Sequence, residues 1–131
     1  MAVPSRIQVS DHEGIKVVRF TDHQLFDERP VREIAEQIAV NLPSDGSPIR
    51  LILDFTDVSL LSSIALGKFI LIQRRVDATR GSLRLCELSP VLQQVFRTAN
   101  LDRLFTIDRD LRTSLEAMRA EIGKPAVKPG P

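Results

Sequence analysis

"IRLILDFTDVSLLSSIALGKFILI", residues 49–72, opens as an apolar run with no clean polar alternation, passes through a polar turn, and resumes as a second apolar run at helical spacing. A strand without alternation, as in 49–55, is one covered on both faces, which belongs in a sheet with helices packed against it. Between the two runs stand Ser62 and Ser63, where the strand's exit becomes a helix entry. The first N–H groups of a helix lack intrahelical acceptors, so a serine hydroxyl there acts as a cap contributing about 1 kcal/mol. One serine satisfies that need. The second is left to point outward, at the end of an open α/β sheet where ligands and partners engage. Simple capping accounts for serines in this position. The sharper reading is a switch: a phosphate there adds a charge of about −1.5 to −2, which suits the helix dipole, while a partner packed on that end meets a desolvated dianion.

Outward from this stretch, helices and strands alternate. Upstream, Ile7 and Val9 followed by Ile15, Val17 and Phe20 read as a β-hairpin turning through "SDHEG", with turn chemistry at Asp11 and Gly14. Val31, Ile34, Ala35, Ile38 and Leu42 recur at helical spacing, with Pro30 in the first turn, before the loop "NLPSDGSP". Downstream, the serine-headed helix runs to about Thr79 with Gly81 as its stop, and Arg74, Arg75 and Arg80 suit its negative end. "SLRLCEL" from Ser82 reads as a second buried strand. Ser89 and Pro90 start a helix carrying Val91, Leu92, Val95 and Phe96 on one side, with Asn100 as its stop. A short strand is expected around Phe105 to Ile107. Asp108 is then placed to cap a last helix with Leu111, Leu115, Met118 and Ile122 as its apolar positions and Gly123 at its end. The order β, β, α, β, α, β, α, β, α predicts a single α/β domain over 1–123. Its sheet is mixed, of about five strands with about four helices, and its crossovers are right-handed from the third strand onward. Residues 124–131, "KPAVKPGP", read as a flexible tail.

Composition narrows the function classes. Eighteen Lys and Arg against seventeen Asp and Glu leave a formal charge of +1, which gives no electrostatic footprint for nucleic acid. The longest apolar run, Ile64 to Ile72, is interrupted by Lys68 and is far too short to span a bilayer, so membrane insertion is not expected. One cysteine, Cys86, excludes an internal disulfide, and "MAVPSRIQVS" has no apolar segment of signal-peptide length; the expected location is cytoplasmic. Cys86 falls in a strand and reads as a small buried hydrophobe. His12 and His23, the two histidines, sit in polar turns without metal-ligand spacing, and "SDGS" lacks the lysine and helix of a phosphate loop. Asp54 and Asp57 are close in sequence but have no base or metal partner, so a small enzyme built on them is a weak alternative. No enzyme, cofactor or metal is expected.

Taken as an ordered set, these motifs resemble the STAS domain family, the sulphate-transporter and anti-sigma-factor-antagonist domains. They are most similar to its free-standing bacterial antagonists. The similarity rests on the strand ending in Asp54, Val58 with Ser59, the serine-bearing helix start, the Leu66–Gly67 pair and the Gly81 turn into "LRL". "LSPVLQQVF" and "LDRLF" continue it downstream. It covers residues 49–118 well and the first 48 loosely. In such antagonists the helix begins Asp-Ser-Ser-Gly or Asp-Ser-Thr-Gly and its first serine is phosphorylated. The resemblance implies Ser63 as the phosphoacceptor, with Ser62 as second choice. Ser62, Ile64 and Ala65 replace the usual Asp, hydroxyl residue and Gly, and in "DHQLFDE" Asp27 is the stand-in for the family's loop Asp. The implied cycle is partner switching. The unphosphorylated antagonist binds an anti-sigma factor with serine kinase activity and so regulates sigma-factor-dependent transcription; the kinase then modifies the serine, and a PP2C-type phosphatase resets it. The expected partner-binding residues are Asp54, Thr56, Asp57, Ser59, Leu61, Ser62, Ser63, Ile64, Leu66 and Lys68. The alternative inside the same fold is an accessory subunit of a lipid-transport ABC system, or of a larger signalling assembly, without phosphorylation.

Overall fold

A computed structural model describes residues 4–123; the expected tail over 124–131 lies outside them. The chain runs β1 (Ile7–His12), β2 (Ile15–Phe20), β3 (Gln24–Leu25), α1 (Glu28–Val40), β4 (Arg50–Asp54), β5 (Leu60–Leu61), α2 (Ser63–Ala78) and β6 (Ser82–Cys86). It continues through α3 (Pro90–Thr98), a 3-10 turn (Leu101–Arg103), β7 (Thr106–Ile107) and α4 (Leu111–Gly123). The principal sheet has five strands in the order β1-β2-β4-β6-β7. β1 and β2 pair antiparallel, through a two-residue turn in which Glu13 and Gly14 both take positive φ, and every other pairing is parallel. Each crossover steps in the same direction across the sheet with its helix on the same face, as a single handedness requires.

The two faces are unequally covered. Val18, Phe20, Leu51, Leu53, Leu83 and Leu85 face α1, α2 and α3 in the main core, while Ile15, Val17, Ile52 and Cys86 face Met118 of α4. This explains the missing alternation: in β4, Leu51, Ile52 and Leu53 are each fully buried, against opposite layers. Five of the six phenylalanines form one connected cluster across the main core. Phe55 stands 5.0 Å from Phe20, 5.6 Å from Phe69 and 6.4 Å from Phe96, which continues to Phe105 at 5.7 Å.

Four details depart from the sequence reading. The left-handed residue that ends α2 is Arg80, with φ of 59°, not Gly81. Arg80 N–H donates to the Asp77 carbonyl at 3.0 Å and Gly81 N–H to that of Val76 at 3.2 Å, the bond pair of a Schellman stop. Gly81 is required for another reason: a Cβ there would lie 1.9 Å from the Ile49 carbonyl oxygen. The cap of α4 is Asp110, whose Oδ1 accepts from Thr113 N–H at 2.8 Å. Asp108 instead accepts both from Arg84 Nη1 at 3.0 Å and from the Ser114 hydroxyl at 2.6 Å, since the turn after β7 brings it beside β6. In α3 only Leu92 and Phe96 are buried and Val91 is 64% exposed, while in α4 the apolar face ends at Met118 with Ile122 turned outward. α4 lies across the central strands β4 and β6, where Ile52 and Cys86 take the Met118 side chain and the last turn of the helix reaches beyond them. Finally, β3 and β5 form a separate parallel pair of two residues each, which no periodicity of that length reveals.

Candidate functional site

The site is the strand-exit loop of β4 and the first two turns of α2. Asp54, 4% exposed at the end of β4, folds the loop back by accepting from Thr56 N–H at 2.9 Å and from the Thr56 hydroxyl at 2.5 Å. Phe55 N–H donates to the Cys86 carbonyl and Val58 N–H to the Phe55 carbonyl, each at 3.0 Å. The loop is then tied to the segment after β2. The Ser59 amide and hydroxyl both donate to the His23 carbonyl, at 2.8 and 3.2 Å, and Ser62 N–H donates to the Leu25 carbonyl at 3.0 Å. His23 Nδ1 lies 3.0 Å from the Asp57 carbonyl oxygen, so it is the protonated nitrogen of that ring; the Asp57 carboxylate pairs with Arg19 at 2.8 Å. These ties present the head of α2 on a preorganised frame.

At that head the two serines divide the work. Ser62 is the N-cap, in extended conformation, and its Oγ accepts from Ala65 N–H at 3.2 Å. Ser63 is the first helical residue, is exposed, and its hydroxyl has no hydrogen-bond partner among the described residues. Apolar side chains stand beside it: Leu60 is 40% exposed, Ile64 43% and Phe26, one residue past the β3–β5 pair, 49%. No carboxylate falls in the first turn of α2. The head of α2 therefore presents the Ser63 hydroxyl with exposed apolar residues on the same end of the molecule, no carboxylate in its own first turn, and the positive end of the helix behind it.

The structure brings the expected residues to one end of the molecule but divides them by role. Thr56, Asp57, Ser59, Ser63 and Ile64 are exposed, and Ser62, Leu66 and Lys68 are partly so. Asp54 and Leu61 are buried, so they shape the loop from beneath and offer a partner no surface. Asp27 is the N-cap residue of α1 by backbone geometry, without a side-chain cap bond. Arg19, Leu25 and Phe26 belong to the site beyond the residues expected from sequence, and His23 belongs to it as a hydrogen-bonding tie and not as a metal ligand. The one signal in the sequence is the apolar pair Leu25–Phe26 in "HQLFD", between polar neighbours. The carboxylates of Asp54 and Asp57 are each engaged, with Thr56 and Arg19 respectively, and the described residues hold no group of three or more His, Cys, Asp or Glu placed to bind a metal ion. No helix among the described residues is long and apolar enough to cross a membrane.

The model of the STAS domain family matches residues 6–114, and the chain belongs to that family. It is 26% identical over 90 residues to BtrV of Bordetella bronchiseptica, a candidate anti-sigma factor antagonist, across 67% of this chain and 78% of that protein. Among solved structures, an anti-sigma-factor antagonist (STAS) domain protein of Planctomyces limnophilus superposes with a TM-score of 0.76. The two are 21% identical, over 88% of this chain and 99% of that one. The same fold occurs in the murine anion transporter Slc26a9, with a TM-score of 0.73 and 13% identity, over 85% of this chain and 18% of that one. The likeness to these structures is one of fold.

Proposed function

We propose that this chain is an anti-sigma factor antagonist, a binding module that captures an anti-sigma factor with serine kinase activity and is released when Ser63 is phosphorylated. The observation that carries this reading is the division of labour at the head of α2. Because Ser62 holds the cap, the Ser63 hydroxyl can be modified without cost to the helix. The new charge would sit on a helix N-terminus, where an anion is favourable, and at the centre of an apolar rim, where it repels a packed partner. A PP2C-type phosphatase completes the cycle, and the location this implies is the cytoplasm, where sigma factors act. Binding residues in this reading are the exposed Thr56, Asp57, Ser59, Ser62, Ser63 and Ile64 with the half-buried Leu66 and Lys68. Similarity to BtrV supports the reading.

The test is peptide mass spectrometry on protein recovered from its native cells, reading the segment from Asp54 to Lys68. Phosphate on Ser63 that is absent from a Ser63→Ala variant supports the switch. Both serines unmodified in every growth condition would favour the constitutive-subunit alternative, in which a transporter ATPase or a larger assembly covers the same surface.

A further inference from the structure

We infer that the groove between α1 and α2 is a docking site for an acidic amphipathic helix of a protein partner. It lies along the flank of α2, beyond the switch at Ser63, and is a depression of about 380 Å³ between the two helices. Its floor is apolar and low: Ala35 and Ala39, one turn apart on α1, face Ile72 and Leu71 on α2, and Leu71 is 55% exposed. Two alanines in register leave the hollow into which a ridge of side chains from a third helix packs. From Lys68 to Arg75 the groove follows two turns of α2, about 10.5 Å at 1.5 Å per residue. That length seats three anchors of an incoming helix at i, i+3 or i+4, and i+7.

Charge selects the occupant. Arg32, Lys68 and Arg75 stand on the rim against one carboxylate, Glu36, and none of the four is in an ion pair among the described residues. Unpaired cations such as Arg74, Arg97 and Arg103 occur elsewhere on this nearly neutral chain, but at this groove three of them line one apolar trough opposite a single carboxylate. Unpaired cations along an apolar trough attract a helix whose apolar stripe is flanked by Asp and Glu, and they repel one flanked by Lys. The outer face of α3, with Val91 exposed and Val95 half-buried, is also apolar but carries no such rim.

The experiment titrates the isotope-labelled full chain with two 14-residue capped peptides, followed by amide chemical shifts. Both carry Leu at i, i+3, i+7 and i+10 in an Ala background, one with Glu flanks and the other with Lys. The expected result is shift changes clustered on Ala35, Ala39, Lys68, Leu71 and Arg75 with the Glu peptide, and binding at least tenfold weaker for the Lys peptide. An Arg32→Glu/Arg75→Glu variant that retains the native melting temperature should lose the same tenfold for the Glu peptide. Shifts confined to the α3 face, equal binding of the two peptides, no binding, or displacement of the Glu peptide by a free fatty acid at equal concentration would each overturn the assignment. None of these outcomes depends on whether Ser63 is modified, so this proposal and the switch stand or fall separately.

Discussion

At the scale of single residues, two glycines carry opposite instructions. Gly81 lies against the Ile49 backbone, where a Cβ has no room and the neighbour is main chain that cannot swing aside. Gly81→Ala is expected to lower stability by about 3 kcal/mol, measured by urea unfolding. Gly67 sits inside α2 with open space around the position a Cβ would take. A glycine inside an exposed helical turn costs about 0.5–1 kcal/mol relative to alanine, so Gly67→Ala should raise stability by that amount. Gly67 is also one turn beyond Ser63 on the same stripe, so the stabilised variant should bind its partner more weakly if that stripe is contacted. Calorimetric melting and a binding titration on one sample separate the two effects. At Ser63 itself, Ser63→Glu should leave the melting temperature unchanged, because an acidic first turn suits the dipole. It should weaken binding to the proposed anti-sigma factor partner at least tenfold, or about 1.4 kcal/mol; unaltered binding would sink the switch.

At the scale of elements, α4 is the one helix on its sheet face among the described residues and is held by a polar clamp as much as by apolar contact. Arg84 on β6 reaches Asp108 at 3.0 Å and Glu121 at 2.8 Å, Ser114 donates to Asp108, and Glu87 accepts from Leu111 N–H at 2.9 Å. Under that cover Cys86 is fully buried beside Met118. Burial, reinforced by the charges of Asp54 and Glu87, pushes its thiol up to about 12, which leaves it protonated and unreactive. A thiol reagent at neutral pH should therefore label the native chain more slowly than the unfolded chain by a factor on the order of 1,000 or more. Met118→Ala, at a cost of about 2–5 kcal/mol, should speed labelling before the main core opens. A native chain that labels as fast as the unfolded one would refute the coverage of this face.

At the scale of the whole molecule, surface ion pairs set the acid limit. Hydrogen bonding from Arg6 holds the Glu33 carboxyl below its ordinary value near 4.5. For Glu121, burial acts upward but is exceeded by hydrogen bonds from Ser82 and Arg84. Asp11, beside Lys16 and the Gly14 amide, lies below its ordinary value of 3.8. Carboxyls lowered by folding contribute stability that is fully present above their unfolded values and is lost as pH falls through the folded ones. Urea unfolding should thus give a stability that is level from neutrality to about pH 4.5 and declines below it. Glu33→Gln should reduce that decline, and a decline already under way near pH 6 would overturn its assignment to these carboxyls.

Periodicity and punctuation determined most of the architecture, since each main element carries its own signal. Unbroken apolar residues in 51–53 required two covered faces; Ser62 and Ser89 marked helix starts; the alternation of elements required parallel crossovers. Near the site, the sequence by itself determined that a serine beyond the cap stands at the end of the sheet. Tertiary structure decided which residues surround it. The hydrogen bonds of Ser59 and Ser62 to the His23 and Leu25 carbonyls join segments some 36 residues apart, and they run through two-residue strands too short to have a period. Burial of Asp54 and Leu61, exposure of Phe26, and the transfer of Asp108 from cap to ion-pair partner depend likewise on where the chain returns. A side chain's role follows from what lies within a few ångströms of it, and local sequence specifies only those neighbours that are also near in the chain.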